Sequence, residues 1–430
     1  MADVRPFRAL RYDTSRIDPG VTIAPPYDVI TPGQQAALYG RDPHNIVRVE
    51  YGEQRPGDSP TSNRYTRAAQ DLVAWQREGV LCRDGAPAMY HYRLTFEWAG
   101  TRHERTHYFA AVRLEEWEKG IVKPHEHTLS GPKVDRLELL RATRTQVSPV
   151  YCLSREQISS PSPCQVGGVP LYNLLADGQQ HVVSAIVDET VITSLQARFA
   201  ASDFYIADGH HRYETALSYR DECRGRARHW TGEEPENFVL MAITNASDAG
   251  LLVLPTHRIL HRPLGEGALD RLARTFDIEE LSLHAEASDY STLLAAAAPE
   301  DAMFVGLGLV PGRAHSLRLR DRRSAEELMP PRESNAWKRL DVNVLQYGIL
   351  STAFGIDDAA LAAGGAVSYT QDAMEARNAV ESGGATCAFL LNATPVDQIL
   401  AVSDANGRMP QKSTYFHPKL PTGLVLNQLD

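Results

Sequence analysis

The stretch DFYIADGHHRYETALSYR, residues 203–220, decides more about this chain than any other of its length. Residues 204–207 are apolar and rich in aromatic and β-branched side chains, the pattern of a short buried strand. Beyond Gly209, the residues Tyr213, Ala216, Leu217 and Arg220 recur at helical spacing. Residues 208–212 are therefore expected to form a strand-to-helix turn. There the first backbone N–H groups of the helix lack intrahelical partners and the helix dipole is positive, which suits an anion. Gly209 allows a positive φ or a close approach of backbone to ligand. Arg212 can fork onto phosphate oxygens, and His210 and His211 can donate to them. Asp208 can cap the helix, hold Mg²⁺ or orient a histidine. The competing reading is a plain Asp-capped helix with two partly exposed histidines.

The surrounding composition narrows the class. The chain has 430 residues, 43% hydrophobic and 23% charged. That is enough apolar material for packed cores, and at about 100–200 residues per domain it suggests two or three domains. A net charge of −10 argues against a nucleic-acid partner but leaves room for a local basic patch. Five scattered cysteines without a C-x-x-C pair fit a reducing compartment. Charges stand where a signal peptide would carry its apolar core, and no apolar run approaches the ~18 residues of a membrane span. The expectation is a cytoplasmic protein acting on a small molecule, with no nucleic acid and no membrane as partner; the oligomeric state stays open.

Helical and strand patterns alternate along the chain. Residues 65–81 read as a helix, while 88–98 and 101–114 read as a hairpin turning at Ala99-Gly100. A linker is expected at 155–170. Strand-like 237–245 and 250–260 follow, then helix-like 268–276, strand-like 302–310 and a polar break at 320–335. The tail alternates helices (342–354, 372–383) with strands (386–392, 423–429). No repeat of fixed period occurs. The fold class is mixed α/β (α+β). Three regions are expected: an N-terminal α/β region at 1–115, a central core at 116–228 with an insertion near 155–195, and a C-terminal α/β domain at 229–430.

A second dense stretch is GIVKPHEHTLSGPKVDRLELLRATRTQVSP, residues 120–149. His125, Glu126 and His127 lie in a loop, and a helix is expected over 133–145. At ~100° per residue, Lys133, Arg136, Arg141 and Arg144 share one arc with Leu137 and Leu140. That arc is either a solvated, salt-bridged face or the lining of an anion site. Two further loops carry polar clusters, Thr256-His257-Arg258 and Lys412-Ser413-Thr414. Each is open to a structural reading or to contact with an anionic substrate. Pro25 and Pro26 present Tyr27 and Asp28 on a stiff turn with the same ambiguity. H-E-x-x-H, zinc-spaced cysteines, a P-loop and a G-x-S-x-G elbow are all absent.

The turn Asp208-Gly209-His210-His211-Arg212, with Glu214 and Ala216 beyond it, resembles the nucleotide-binding signature of the ParB/sulfiredoxin-like superfamily, especially its free-serine kinases. Sulfiredoxin chemistry would need a cysteine where His210 stands. Pro124-His125-Glu126 is similar to the element that supplies the kinases' catalytic base, which the resemblance places on Glu126. About eighty residues separate the two motifs, more than a compact kinase of this type needs, so an insertion around 159–168 is expected. Six ordered stretches (5–13, 24–30, 124–149, 205–217, 253–258 and 409–425) resemble the bacterial and archaeal family called domain of unknown function ten-fifteen.

The resemblance implies a ParB/sulfiredoxin-like core and a phosphotransferase using ATP or ADP with Mg²⁺. The acceptor would be the hydroxyl of a small metabolite, an amino acid and above all free L-serine, giving O-phosphoserine. Glu126, Asp208 and His211 would be catalytic, with Mg²⁺ on Asp208. Gly209, His210, His211, Arg212, Lys133, Arg136 and Arg144 would hold phosphate. His125, Thr256, His257, Arg258, Lys412, Ser413 and Thr414 are candidate substrate contacts. A non-catalytic nucleotide- or metabolite-binding regulator and a metal-dependent hydrolase are the alternatives.

Overall fold

In the computed structural model, which describes residues 1–128, 130–156, 170–282, 287–298 and 301–430, the chain divides into two units. The first comprises Met1–Pro124, Thr128–Leu251 and Pro418–Asp430; the second comprises His125–His127 and Leu252–His417. The boundaries expected at 115 and 228 both fall inside the first unit.

Among its described residues the first unit carries a nine-stranded mixed sheet. Its strands are β1 (Val4–Arg5), β2 (Met89–Trp98), β3 (Thr101–Arg113), β4 (Val122–Lys123), β5 (Val150–Ser154), β6 (Tyr172–Ala176), β7 (Gln179–Ile186), β8 (Phe204–Asp208) and β9 (Phe238–Asn245). They run in the order β4-β8-β5-β9-β3-β2-β7-β6, with β1 on β3. Only β8/β4 and β9/β5 pair in parallel. The expected hairpin forms: Ala99 and Gly100 both take positive φ between β2 and β3, which matches the twist of the flanking strands. β6 and β7, within the region expected as an insertion, extend this sheet at one edge. The expected linker at 159–168 lies outside the described residues.

Four longer helices belong to this unit: α1 (Arg64–Arg77), α2 (Ser130–Thr143), α3 (Glu189–Ala200) and α4 (His210–Arg226). Ile192, Leu195 and Phe199 of α3 and Tyr213, Ala216 and Leu217 of α4 share one core with Met89, Tyr108, Val150, Ile206 and Val239 of the sheet. Apolar burial of this kind fixes where β8 ends and α4 begins.

The second unit is built on a six-stranded sheet. Its strands are β10 (His257–Leu260), β11 (Phe276–Leu281), β12 (Met303–Leu307), β13 (Ala314–Leu319), β14 (Val367–Thr370) and β15 (Cys387–Leu390), in the order β11-β13-β12-β15-β10-β14. The stretch 250–260, expected as one strand, is broken at Pro255, which has no N–H for a ladder. Leu252–Leu254 pairs instead with Tyr415–His417, while β10 enters the six-stranded sheet. The polar break at 320–335 contains a short helix, Arg322–Glu326, capped by Asp321. The helix expected over 342–354 runs as a π-helix from Val344–Ser351. Among the described residues no helix is long and apolar enough to cross a membrane.

Tyr213 anchors α4. Its ring is fully buried against Trp117, with centroids 4.7 Å apart. Its hydroxyl donates to the Glu115 carbonyl at 2.8 Å and accepts from the Glu115 N–H at 2.9 Å. Tyr213→Phe keeps the ring and strands both backbone groups, so urea unfolding should show a loss of about 1–3 kcal/mol. An unchanged midpoint would remove this anchor from the account.

Candidate functional site

β8 delivers Asp208 to the end of a buried strand, and Gly209 starts α4 with φ 94° and no side-chain cap. A Cβ at Gly209 would lie 2.9 Å from Arg212 Nε and 3.0 Å from its Cζ. Glycine is thus required twice, by conformation and by the guanidinium folded over it. The expected turn forms, and Asp208 does not cap it.

The Asp208 carboxylate instead takes two cations, one on each oxygen: Lys419 Nζ on Oδ1 and Arg212 Nη2 on Oδ2. Arg212 Nη1 donates to the Pro149 carbonyl, and its Nε is buried without a hydrogen-bond partner. Burial disfavours the charged carboxylate, but Lys419 and Arg212 outweigh it and hold Asp208 well below the usual range. Arg212 is likewise desolvated, and Asp208, Asp28 and Glu50 keep it firmly protonated. With both oxygens of Asp208 committed, the expectation of Mg²⁺ on this carboxylate does not fit the arrangement. Among the described residues no three His, Cys, Asp or Glu side chains are grouped to hold a metal. His210 is buried and His211 half-buried in the first turn of α4.

The basic residues of α2 are largely committed. Lys133 Nζ lies 3.0 Å from Glu214 Oε2, which also accepts from Thr128 Oγ1 at 2.7 Å. Arg136 is buried, donates to the Glu50 carbonyl at 2.9 Å and stacks 4.1 Å from the centre of the Tyr27 ring. Arg141 pairs with Glu138 and Glu222. Arg144 corrects the expectation of a shared arc. The helix stops at Thr143, and Arg144 takes a left-handed φ of 48° and turns to Glu236 at 3.3 Å. A cavity of about 50 Å³ is lined by Arg212, Arg136, Glu50 and Ser148 together with apolar residues of α2, β5 and β9. Ser148 Oγ donates to Glu50 Oε1 at 3.1 Å.

In the second unit the tail residues 412–414 hold the loop of His125 and Glu126. The Lys412 N–H donates to Glu126 Oε1 at 2.9 Å, with Lys412 at a left-handed φ of 57°. Thr414 Oγ1 lies 3.0 Å from His125 Nε2, and Ser413 Oγ donates to the Pro410 carbonyl at 2.5 Å. The Lys412 N–H and the Thr414 hydroxyl therefore support the loop, while Ser413 braces the tail segment itself. His257 is a buried structural histidine: its Nδ1 accepts from the Leu391 N–H at 3.4 Å, and burial pushes its pKa down to about 4. Arg258 is 4% exposed, and Thr256 Oγ1 is buried without a partner.

Residues 4–343 match the model of the family described as protein of unknown function (DUF1015). The chain belongs to that family. Among curated proteins none matches its sequence. Solved structures similar to this DUF1015 chain include a free serine kinase in complex with AMP, at 12% identity and a TM-score of 0.37, covering 75% of this chain and 91% of that one. A conserved hypothetical protein from Pyrococcus furiosus is 12% identical with a TM-score of 0.35, covering 74% and 94%. SbnI from Staphylococcus aureus, truncated at its C-terminus, is 10% identical with a TM-score of 0.33, covering 74% and 87%.

Sequence reasoning missed Lys419 in this DUF1015 chain. The signal was a lone cation between Pro418 and Pro421 in an apolar tail, about two hundred residues from the carboxylate it serves. Its pairing sets a pH dependence. The folded pKa of Asp208 lies below its unfolded value of about 3.9, so its stabilisation is complete above that value and is lost as pH falls through the folded one. Lys419→Met removes part of the depression. Acid unfolding should move to higher pH, with about 1.5–3 kcal/mol lost at pH 7 for the missing charged hydrogen bond, Arg212 still compensating the carboxylate. An acid limb identical to wild type would show that Lys419 does not hold Asp208.

Proposed function

We propose that the protein is a nucleotide-dependent phosphotransferase that moves a phosphoryl group from ATP or ADP to the hydroxyl of a small metabolite. Free L-serine, giving O-phosphoserine, is the acceptor favoured by the likeness of residues 124–126 and 208–212 to the free-serine kinase motifs. The observation that carries the reading is the uncapped start of α4, over which Arg212 is fixed with a buried, unpartnered Nε. Such a donor set suits phosphate oxygens.

Phosphoryl transfer needs little covalent chemistry from the protein; it needs charge held on the donor oxygens and a positioned acceptor. On this reading the turn 209–212 holds the donor phosphates in a ParB/sulfiredoxin-like core, with His210 and His211 donating to them. Asp208 is a positioning residue that fixes Arg212 and Lys419. Mg²⁺ brought by the nucleotide would neutralise part of the phosphate charge, and Asp208, with both oxygens on cations, would not be its ligand. Glu126, its Oε1 oriented by the Lys412 N–H, accepts the proton of the acceptor hydroxyl. The hydroxyl oxygen then bonds to the terminal phosphorus, the bond to the bridging oxygen breaks, and ADP leaves from ATP or AMP from ADP. Lys133 and Arg136 brace the surroundings through Glu214 and Glu50.

Incubating the full chain with Mg²⁺, ATP or ADP, and L-serine among other hydroxylated metabolites tests this by ³¹P NMR. Wild type should yield a new phosphomonoester. Glu126→Gln and His211→Ala should each lower its rate by about 10²-fold or more while nucleotide binding survives in the first. Bound nucleotide left intact under every condition would favour the non-catalytic regulator.

A further inference from the structure

The most unusual charge in the second unit is Arg258. It stands on β10, between β14 and β15, directly opposite Tyr369 of β14 in the register. Its neighbour Ile259 faces the apolar core of the unit, so alternation along the strand puts Arg258 on the other face of the sheet. The residue is 4% exposed. Its guanidinium lies 5.5 Å from the centre of the Tyr369 ring, and Nη1 donates to the Thr256 carbonyl. Among the described residues no carboxylate forms an ion pair with it, and Nε and Nη2 carry no hydrogen bond. A second group points the same way. Thr256, just ahead of the strand and hydrogen-bonded through its carbonyl to Arg258, has its hydroxyl buried without a partner.

Buried arginines are ordinarily paired, because desolvating a cation without a counter-charge is expensive. Here burial drags the guanidinium down to about 10, with Tyr369 and Glu126 opposing the fall. Glu126 is thus the carboxylate whose charge reaches Arg258, short of an ion pair. A cation without an ion pair, a buried hydroxyl without a partner and the phenol ring beside them, within electrostatic range of Glu126, make a receptor for a small anion.

We propose that Arg258, flanked by Thr256 and Tyr369, binds the carboxylate of a small hydroxy- or amino-acid ligand. Calling that ligand the phosphoryl acceptor rests on the phosphotransferase reading; the carboxylate site itself does not. The planar fork of the guanidinium matches a carboxylate in two hydrogen bonds, which neither a neutral amide nor an amine can reproduce.

Isothermal titration with L-serine, L-serinamide and ethanolamine tests the site without any turnover. Wild type should bind L-serine at least about thirty-fold more tightly than L-serinamide, and Arg258→Met should abolish that preference. AMP affinity, measured in parallel, should not change. Thermal melting gives a second reading: ligand-free R258M should be as stable as wild type or more so, since an uncompensated buried charge has gone, and L-serine should raise the midpoint of wild type only. Should R258M fail to fold, R258K should fold, weaken L-serine at least about ten-fold and retain a preference for it over L-serinamide. Equal affinity of wild type for L-serine and L-serinamide, no detectable L-serine binding, or a preference that survives in R258M would each overturn the proposal. Absent phosphoryl transfer with the Arg258-dependent preference intact would instead sink the phosphotransferase reading alone.

Discussion

The first unit depends on one arrangement of charge: a carboxylate at the end of a buried strand, holding an arginine from the helix that follows and a lysine from the chain terminus. Asp208, Arg212 and Lys419 carry one negative and two positive charges in a mostly desolvated place. Removing Asp208 would leave two mostly buried cations without the anion they share, which makes that carboxylate costly to lose. The same group explains why residue 209 is glycine, because the guanidinium occupies the space a Cβ would take. It also explains why the helix start has no side-chain cap. The acid that a reader of the sequence would assign to capping is committed to cations instead.

That distinction marks how far the sequence was legible. The strand, the turn and the helix of residues 203–220 follow from local patterns: β-branched and aromatic residues before Gly209, helical spacing after it. The hairpin at Ala99-Gly100 was legible for the same reason, since turn chemistry is local. What Asp208 binds was not legible, because its second partner, Lys419, is brought by the fold and no spacing rule reaches it. Arg144 failed in a different way. The expected helix ran two residues past Thr143, and the left-handed residue that follows it, Arg144, is no glycine that could signal the end. In the second unit, 250–260 reads as one strand across Pro255, and only strand pairing shows that the segments on its two sides join different sheets.

The polar clusters sort by whether their hydrogen-bonding capacity is used up. Lys412, Ser413 and Thr414 look like a phosphate-contacting triplet in one dimension; in three the Lys412 N–H and the Thr414 hydroxyl support the His125–Glu126 loop and the Ser413 hydroxyl bonds Pro410. His257 is satisfied by a backbone N–H and kept neutral by burial. Lys133 and Arg136 have carboxylate partners. Two guanidiniums bear on the site: Arg212, folded over the start of α4, keeps a buried Nε–H without a partner, as Arg48 and Arg83 also do, and Arg258 has no carboxylate partner among the described residues. Arg212 and Arg258 each keep donor capacity beyond their internal contacts, which suits each to an anion.

The central claim is that Arg212 Nε and the opening of α4 receive the phosphates of a nucleotide. Arginine Nε–H groups can be followed individually by ¹H–¹⁵N NMR, with the Arg212 signal assigned as the one missing from Arg212→Lys. Its cross-peak should sit apart from those of exposed arginines in the ligand-free protein, as expected for a buried and unbonded donor. Titration with ADP should then shift it downfield in a saturable manner. A peak that stays in place while ADP binds elsewhere on the protein would contradict the account at its foundation.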